Sequence, residues 1–235
     1  RPGDLYEHGG NRLLDELFGA EITECDPDDI DEAVGSVDSA LSAGGARAAW
    51  IAPGGSEPVG VLGYVAAGRE LATEFESAGL EVSDVVVATS TGGTHAGLLH
   101  GFAGAARTPE VRGVAVYHGV AETAEAVTLL AAGAAELLGE PVGEGFVDVD
   151  GDELGDGYGI PTESSRLAQQ LFARTEGIVL DPVYTAKAAA SLLRRCRDGD
   201  SGGTAGAAFG TGAVVFVHTG GSPGLFAYGA AALPG

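Results

Sequence analysis

Short apolar runs rich in Val, Ile and Ala alternate along the chain with longer segments in which apolar residues recur every three to four positions. The runs span four to six residues, the length of a buried strand, and the longer segments carry the period of a helix packed on one face. That alternation predicts an α/β fold built on a parallel sheet with crossover helices. Helical period runs over Gly10 to Phe18, with Leu13, Leu14 and Leu17 on one face, and over about Val59 to Gly79. It returns from near His95, over about Glu122 to Leu138, over Glu163 to Arg174 and over about Thr185 to Arg197. Strands are predicted at Glu21 to Glu24, Ala48 to Ile51, Val85 to Ala88, Gly113 to Tyr117 and Ala213 to Val217. Asp26 reads as the N-cap of a further helix with Pro27 at its first position, and Asp28 and Asp29 complement the helix dipole, so these acids are capping and not catalytic. The turn formers Pro53-Gly54-Gly55-Ser56 mark the most plausible seam between two lobes. No internal repeat is visible.

Composition narrows the classes. The 235 residues carry 34 Asp+Glu against 12 Lys+Arg, a formal net charge of −22, which repels phosphate backbones and anionic membranes. No Lys/Arg run offsets that repulsion, so nucleic-acid binding and anionic membrane binding are disfavoured, and no apolar stretch approaches the roughly 20 residues of a bilayer span. Hydrophobic residues make up 45%, enough for a packed core rather than a disordered chain. Lys187 is the single lysine. The imbalance reflects either adaptation to high salt or the codon usage of a GC-rich genome, and the two are compatible. Cys25 and Cys196 lack metal-ligand or CxxC spacing, which points to a reducing cytoplasm. The chain has no Met and begins Arg1-Pro2-Gly3-Asp4 without an apolar leader, so it reads as a partial chain without a signal peptide.

Candidate chemistry collects at the ends of the predicted strands. The segment Thr89-Ser90-Thr91-Gly92-Gly93-Thr94 joins a buried strand to a helix, where hydroxyls, glycines and the helix dipole suit a phosphate. It lacks the Walker A lysine and the GxGxxG spacing. On residues alone it is either a phosphate cradle or a small-residue turn. Tyr158, in Gly157-Tyr158-Gly159-Ile160-Pro161, and Tyr184, in Asp181-Pro182-Val183-Tyr184-Thr185, lie in loops between elements; each is either a packing residue or an acid/base or stacking group. Thr219-Gly220-Gly221 follows the last strand, as a ligand contact or a tight turn. His95 and His100 are five apart and poorly aligned for a metal, the remaining histidines are unpaired, and no metal site is expected. Ser56 and Ser90 lack the GxSxG frame of a hydrolase nucleophile.

Taken together, Gly10-Asn11-Arg12-Leu13-Leu14, Pro53-Gly54-Gly55-Ser56, Gly63-Tyr64-Val65, Thr94-His95-Ala96-Gly97-Leu98, Gly157-Tyr158-Gly159, Leu180-Asp181-Pro182-Val183-Tyr184-Thr185 and His218-Thr219-Gly220-Gly221 resemble one family in order and spacing. It is the D-cysteine desulfhydrase and 1-aminocyclopropane-1-carboxylate deaminase family of pyridoxal-phosphate enzymes, with the tryptophan-synthase-β-like fold (fold type II). The resemblance implies a two-lobed, three-layer α/β enzyme, usually a homodimer, acting on a small amino acid with pyridoxal 5'-phosphate between the lobes. Residues 1–52 would be the remainder of the small lobe and residues 53–235 the large, cofactor-binding lobe.

Carried onto this sequence, the resemblance makes Ser90, Thr91, Gly92, Gly93 and Thr94 the cradle of the cofactor phosphate and Tyr158 and Tyr184 the tyrosines flanking the substrate. Thr185 falls at the partner of the pyridine nitrogen, with Thr219 nearby. A Thr there, where the deaminase branch commonly has Glu, favours the desulfhydrase branch, and Ser90 stands where the family often has Gly. The family's Schiff-base lysine is expected upstream of this chain. Lys187 matches a different lysine, read as facing solvent or the neighbouring loop. The implied activity is β-elimination on a small amino acid, above all D-cysteine to pyruvate, ammonia and sulfide. Deamination of 1-aminocyclopropane-1-carboxylate and elimination of sulfite from cysteate are the related outcomes. A non-catalytic remnant that binds a phosphorylated ligand is the alternative from another class.

The charge excess makes one prediction without a structure. Stability against urea should rise between about 0.1 M and about 1 M salt, as the screening length falls from about 10 Å to about 3 Å; equal unfolding midpoints would reject salt adaptation.

Overall fold

The apolar run around Val85 forms the central strand of the molecule. The computed structural model describes residues 9–141, 147–200 and 209–232. Four parallel strands, β1 (Val82–Thr89), β2 (Glu110–Ala115), β3 (Asp148–Asp150) and β4 (Ala213–Val217), pair in the order β3-β2-β1-β4. In register, Val85 faces Val111 and Val215, and Val87 faces Gly113 and Val217. Because β1 is covered on both faces, its residues read as a continuous apolar run rather than an alternating one. Val85 and Val87 pack with Leu98 and Phe102 on one side, and Val86 and Ala88 with Val114, Val116 and Ala188 on the other.

The helices are α1 (Gly10–Leu17), α2 (Ile30–Ala43), α3 (Pro58–Ala78), α4 (Gly93–Phe102), α5 (Val120–Leu138), α6 (Glu163–Thr175), α7 (Thr185–Asp200) and α8 (Ser222–Tyr228). Helices α3, α4 and α5 pack together over one sheet face, α7 lies on the other with α6 against it, and α1 rests on α8. Alanines 186, 188, 189 and 190 are buried, and their small side chains let α7 lie close to the sheet and to α6. Where α3 crosses α4 the backbones nearly touch. A Cβ on Gly97 would fall 2.4 Å from Tyr64 Cβ, and one on Gly101 would fall 2.6 Å from the Val65 carbonyl oxygen.

Most predicted elements form within a few residues of their expected limits, but several differences are informative. Residues Glu21 to Glu24 and Ala48 to Ile51 are not strands. Among the described residues the sheet contains only β1 to β4, so these segments have no strand to pair with, and Trp50 and Ile51 remain 55% and 72% exposed. Asp26 makes no side-chain capping bond; Pro27–Asp29 form a 3-10 turn that leads into α2. Two elements were not predicted: β3, whose three residues lack an apolar run, and the seven-residue α8.

Beneath α4, His95 is wholly buried with Nε2 3.3 Å from the Val111 carbonyl. That carbonyl requires the proton on Nε2, and Nδ1 has no partner among the described residues. Gly113 makes the room, since a Cβ there would lie 2.3 Å from His95 Nδ1. Burial pushes the imidazole from 6.5 down to about 4, against the weaker pull of the Val111 carbonyl and the Asp148 charge. A depressed histidine favours the folded state above its unfolded pKa, and that contribution is lost as pH falls from about 6.5 through about 4. Between pH 7 and 4 the protein should therefore lose roughly 3 kcal/mol more stability than its His95→Leu variant in urea unfolding; parallel losses would reject the assignment.

Candidate functional site

Parallel strands all end at one edge of the sheet, so the four segments that follow them open on the same side. Strands β2 and β3 lie to one side of β1 and β4 to the other, and the crevice where an open α/β sheet receives ligands is set by such a reversal. Here it falls between β1 and β4. The segments that flank it are Ser90 to Thr94 and His218 to Gly221, both singled out from the sequence.

After β1 the chain turns at Gly92, whose φ of 93° is a left-handed conformation that favours glycine. A side chain there would also meet α5, with a Cβ 3.1 Å from Val127 Cγ2. Helix α4 then begins with no side-chain cap and no acid in its first turn among the described residues, leaving its first amides free for an external acceptor. Ser90, Thr91, Gly93 and Thr94 are half-buried around this start. Ser56 approaches from the Pro53–Gly55 turn: its hydroxyl lies 2.5 Å from that of Thr91, and a Cβ on Gly93 would come within 2.9 Å of it. The result is a cradle of hydroxyls and amides at the positive end of a helix, with no carboxylate among its members, and that donor set suits a phosphate dianion.

A second unit precedes α7. The buried carboxylate of Asp181 accepts the amides of Val183, Tyr184 and Thr185, each at 2.8 Å, and the Thr185 hydroxyl at 2.6 Å. Thr185 in turn accepts the Asp181 amide at 2.8 Å, so its hydroxyl proton is committed to Asp181. The turn after β4 presses on the same group, because a Cβ on Gly221 would fall 2.6 Å from Asp181 Cγ. His218 fixes that turn: Nε2 donates to the Val179 carbonyl at 2.9 Å and Nδ1 accepts the Gly220 amide at 3.1 Å. Thr219 sits exposed within it, and Gly221 thereby brings the Thr219 turn to the start of α7.

Beyond β3 the loop 151–162 carries Tyr158, whose hydroxyl is hydrogen-bonded to that of Tyr184. Tyr117, directly after β2, meets Tyr158 edge-on at 5.0 Å between centroids, and Tyr158 meets Tyr184 at 6.0 Å. Three phenol rings thus form a row along the carboxyl edge of the sheet. Lys187 does not face solvent. It is fully buried, and its ammonium donates to the carbonyls of Leu154 at 2.7 Å and Gly157 at 3.2 Å. Burial lowers its pKa, opposed by the Glu153 and Asp156 charges. At the start of the loop, Asp150 accepts Ser191 at 2.5 Å and Arg195 at 3.2 Å, and pairs with Arg194. Burial alone would raise this carboxyl, but the Ser191 hydroxyl, the Asp152 amide and the two arginines together hold it below the ordinary range.

The structure therefore joins Ser90 to Thr94 in one cradle, pairs Tyr158 with Tyr184, and links Thr185 to the Thr219 turn through Asp181. Sequence reading missed Ser56, Tyr117, Asp181 and Tyr228 as members of this edge. Tyr117 was legible in principle, as an aromatic at the end of a predicted strand. Ser56 and Asp181 stood in segments that carry the family resemblance but without a role of their own, and Tyr228 carried no signal, since its place depends on a contact with a distant segment. Among the described residues no group of His, Cys, Asp and Glu could hold a metal, and no helix is long and apolar enough to cross a membrane.

An uncharged cradle at a switch point is how an open parallel sheet receives the phosphate of a cofactor, which puts the protein in the class of cofactor-binding α/β proteins. Its particular family follows from comparison. The family model described as "Pyridoxal-phosphate dependent enzyme" matches residues 6–221, and the chain belongs to that family. It is 39% identical over 229 residues to the D-cysteine desulfhydrase of Klebsiella pneumoniae (strain 342), covering 95% of this chain and 66% of the relative. The solved structure of an ACC deaminase homologue superposes with a TM-score of 0.80 at 33% identity, over 96% of this chain and 66% of that one. Serine racemase from Dictyostelium discoideum, at 15% identity over 92% of this chain and 66% of that one with a TM-score of 0.53, shares the fold. The chain thus spans just under two thirds of the length of these proteins. The parallel α/β architecture is the fold type II arrangement of the ACC deaminase homologue.

A buried ammonium already bonded to two carbonyls is a poor nucleophile for an aldehyde. Borohydride reduction of this chain with pyridoxal phosphate, followed by peptide mapping, should leave Lys187 unlabelled; a label there would overturn the structural role given to it.

Proposed function

We propose that this chain is the cofactor-binding part of a pyridoxal-phosphate lyase that converts D-cysteine and water to pyruvate, ammonia and hydrogen sulfide. The observation that carries the reading is the uncharged cradle at the start of α4, set on the same sheet edge as the paired phenols of Tyr158 and Tyr184. The D-cysteine desulfhydrase relative supports the substrate class. When bound, pyridoxal phosphate supplies the electron sink that lets bonds at the substrate α-carbon break.

The residues of the chain divide the remaining work. Ser90, Thr91, Gly92, Gly93 and Thr94 hold the phosphate through amides and hydroxyls. Thr185 and Thr219 would border the cofactor ring, and because the Thr185 proton is committed to Asp181, Thr185 would supply no acid to the pyridine nitrogen. A neutral neighbour there suits elimination of a good leaving group and disfavours opening of a cyclopropane ring. Either phenol can be the donor in the hydroxyl–hydroxyl bond between Tyr158 and Tyr184, so the pair can present a donor or an acceptor to the substrate. Residues 1–52 are the remainder of a smaller lobe, a division supported by the absence of buried residues in α2 among those described. The same reading carries a homodimer in the cytoplasm, and the net charge of −22 supports a surface adapted to salt.

The test is product analysis on the natural protein that contains this chain, supplied with pyridoxal phosphate. Sulfide and pyruvate should form from D-cysteine. Tyr184→Phe should lower turnover about 100-fold while the cofactor absorbance persists, in line with loss of an acid/base group. Ammonia from 1-aminocyclopropane-1-carboxylate without sulfide release would replace the reading with deamination, and sulfite from cysteate with sulfo-lyase activity. Bound cofactor with no turnover on any of them would replace it with ligand binding alone.

A further inference from the structure

Tyr158 is flanked by two glycines that both adopt positive φ, Gly157 at 135° and Gly159 at 74°. Such a segment has unusual conformational freedom. Tyr158 is also 44% exposed, and its ring meets those of Tyr117 and Tyr184 edge-on rather than entering the core. Yet its hydroxyl meets that of Tyr184, which stands on a different element, so something else must hold the loop.

Two buried side chains account for it. Lys187, 0% exposed on α7, donates to the Gly157 carbonyl, immediately before Tyr158, and to that of Leu154 earlier in the same loop. Tyr228, 3% exposed on α8, donates its hydroxyl to the Gly159 carbonyl, immediately after Tyr158. A lysine wholly inside a protein is costly unless its charge is satisfied; here two carbonyls do so, and Glu153 and Asp156 add favourable charge. Neither the cradle nor the Asp181 turn uses these donors. Lys187 also lies one helical turn beyond Tyr184, so the element that carries one phenol holds the loop that carries the other.

On the reading of function given above, we infer that Lys187 and Tyr228 are positioning residues: a two-sided clamp on the carbonyls flanking Tyr158 that holds its hydroxyl against Tyr184. The clamp touches no substrate and acts through Tyr158 alone.

Two readouts test it. In the natural protein freed of cofactor, amide hydrogen exchange across residues 152–160 should rise at least tenfold in Tyr228→Phe and in Lys187→Met, with β1 and α4 unchanged. Tyr228→Phe removes one hydroxyl and keeps the ring, so it decides the matter even where Lys187→Met fails to fold. In the natural protein acting on D-cysteine, Tyr228→Phe should lower kcat about tenfold with KM within about twofold. Combined with Tyr158→Phe it should cost nothing further, because both act through one group. Unchanged loop exchange in Tyr228→Phe, or kinetic losses that multiply in the double variant, would overturn the clamp. A protein that eliminates nothing from D-cysteine would sink the functional reading and leave the exchange result to judge the clamp by itself.

Discussion

Asp181 accepts four hydrogen bonds from Val183, Tyr184 and Thr185, and the turn after β4 packs against the same carboxyl group through Gly221. A buried carboxyl group is costly unless its oxygens find donors. Meeting the need fixes the backbone from Asp181 to Thr185 and with it the first turn of α7. From α7 the influence spreads outward: Tyr184 stands at its start, Lys187 one turn on, and Ser191 and Arg195 further along reach Asp150 at the end of β3. The phenol pair, the loop beyond β3 and the turn beyond β4 therefore take their places from one helix whose origin is pinned by one acid.

The cradle at α4 is held by different means. No side chain there carries charge, and its shape comes from the close approach of the turn after β1 to α5 at Gly92 and to the turn before α3 at Gly93 and Gly54. One half of the edge is thus organised by a saturated carboxylate and the other by the absence of side chains. The cradle itself carries no charged side chain, in a chain whose net charge is −22. Carboxylates of the sheet are paired with arginines: Arg112 binds Asp84 and Asp148 at the edge opposite the crevice, and Arg194 and Arg195 bind Asp150 at the end of β3.

What the sequence made legible follows from this difference. The β1 run and the glycines after it announce a buried strand entering a helix, because every signal there is local. The phenols were visible as loop aromatics, but not their pairing, which depends on elements 26 residues apart. Lys187 was misread in part because lysine is ordinarily a surface residue, and only the loop carbonyls make its burial sensible. Strand β3 escaped notice because Asp148 and Asp150, which flank its single Val, are polar and gain their stability from arginines on other elements. Conversely, Ala48 to Ile51 has the composition of a strand and no partner among β1 to β4.

The contact between α3 and α4 has a mechanical meaning. At Gly97 and Gly101 no layer of side chains separates the two helices, so nothing there can change rotamer to absorb a relative displacement. The pair behaves as a single beam. A push delivered to the solvent side of α3 arrives undamped at the first amides of α4, and the cradle can shift only by carrying a 21-residue helix with it.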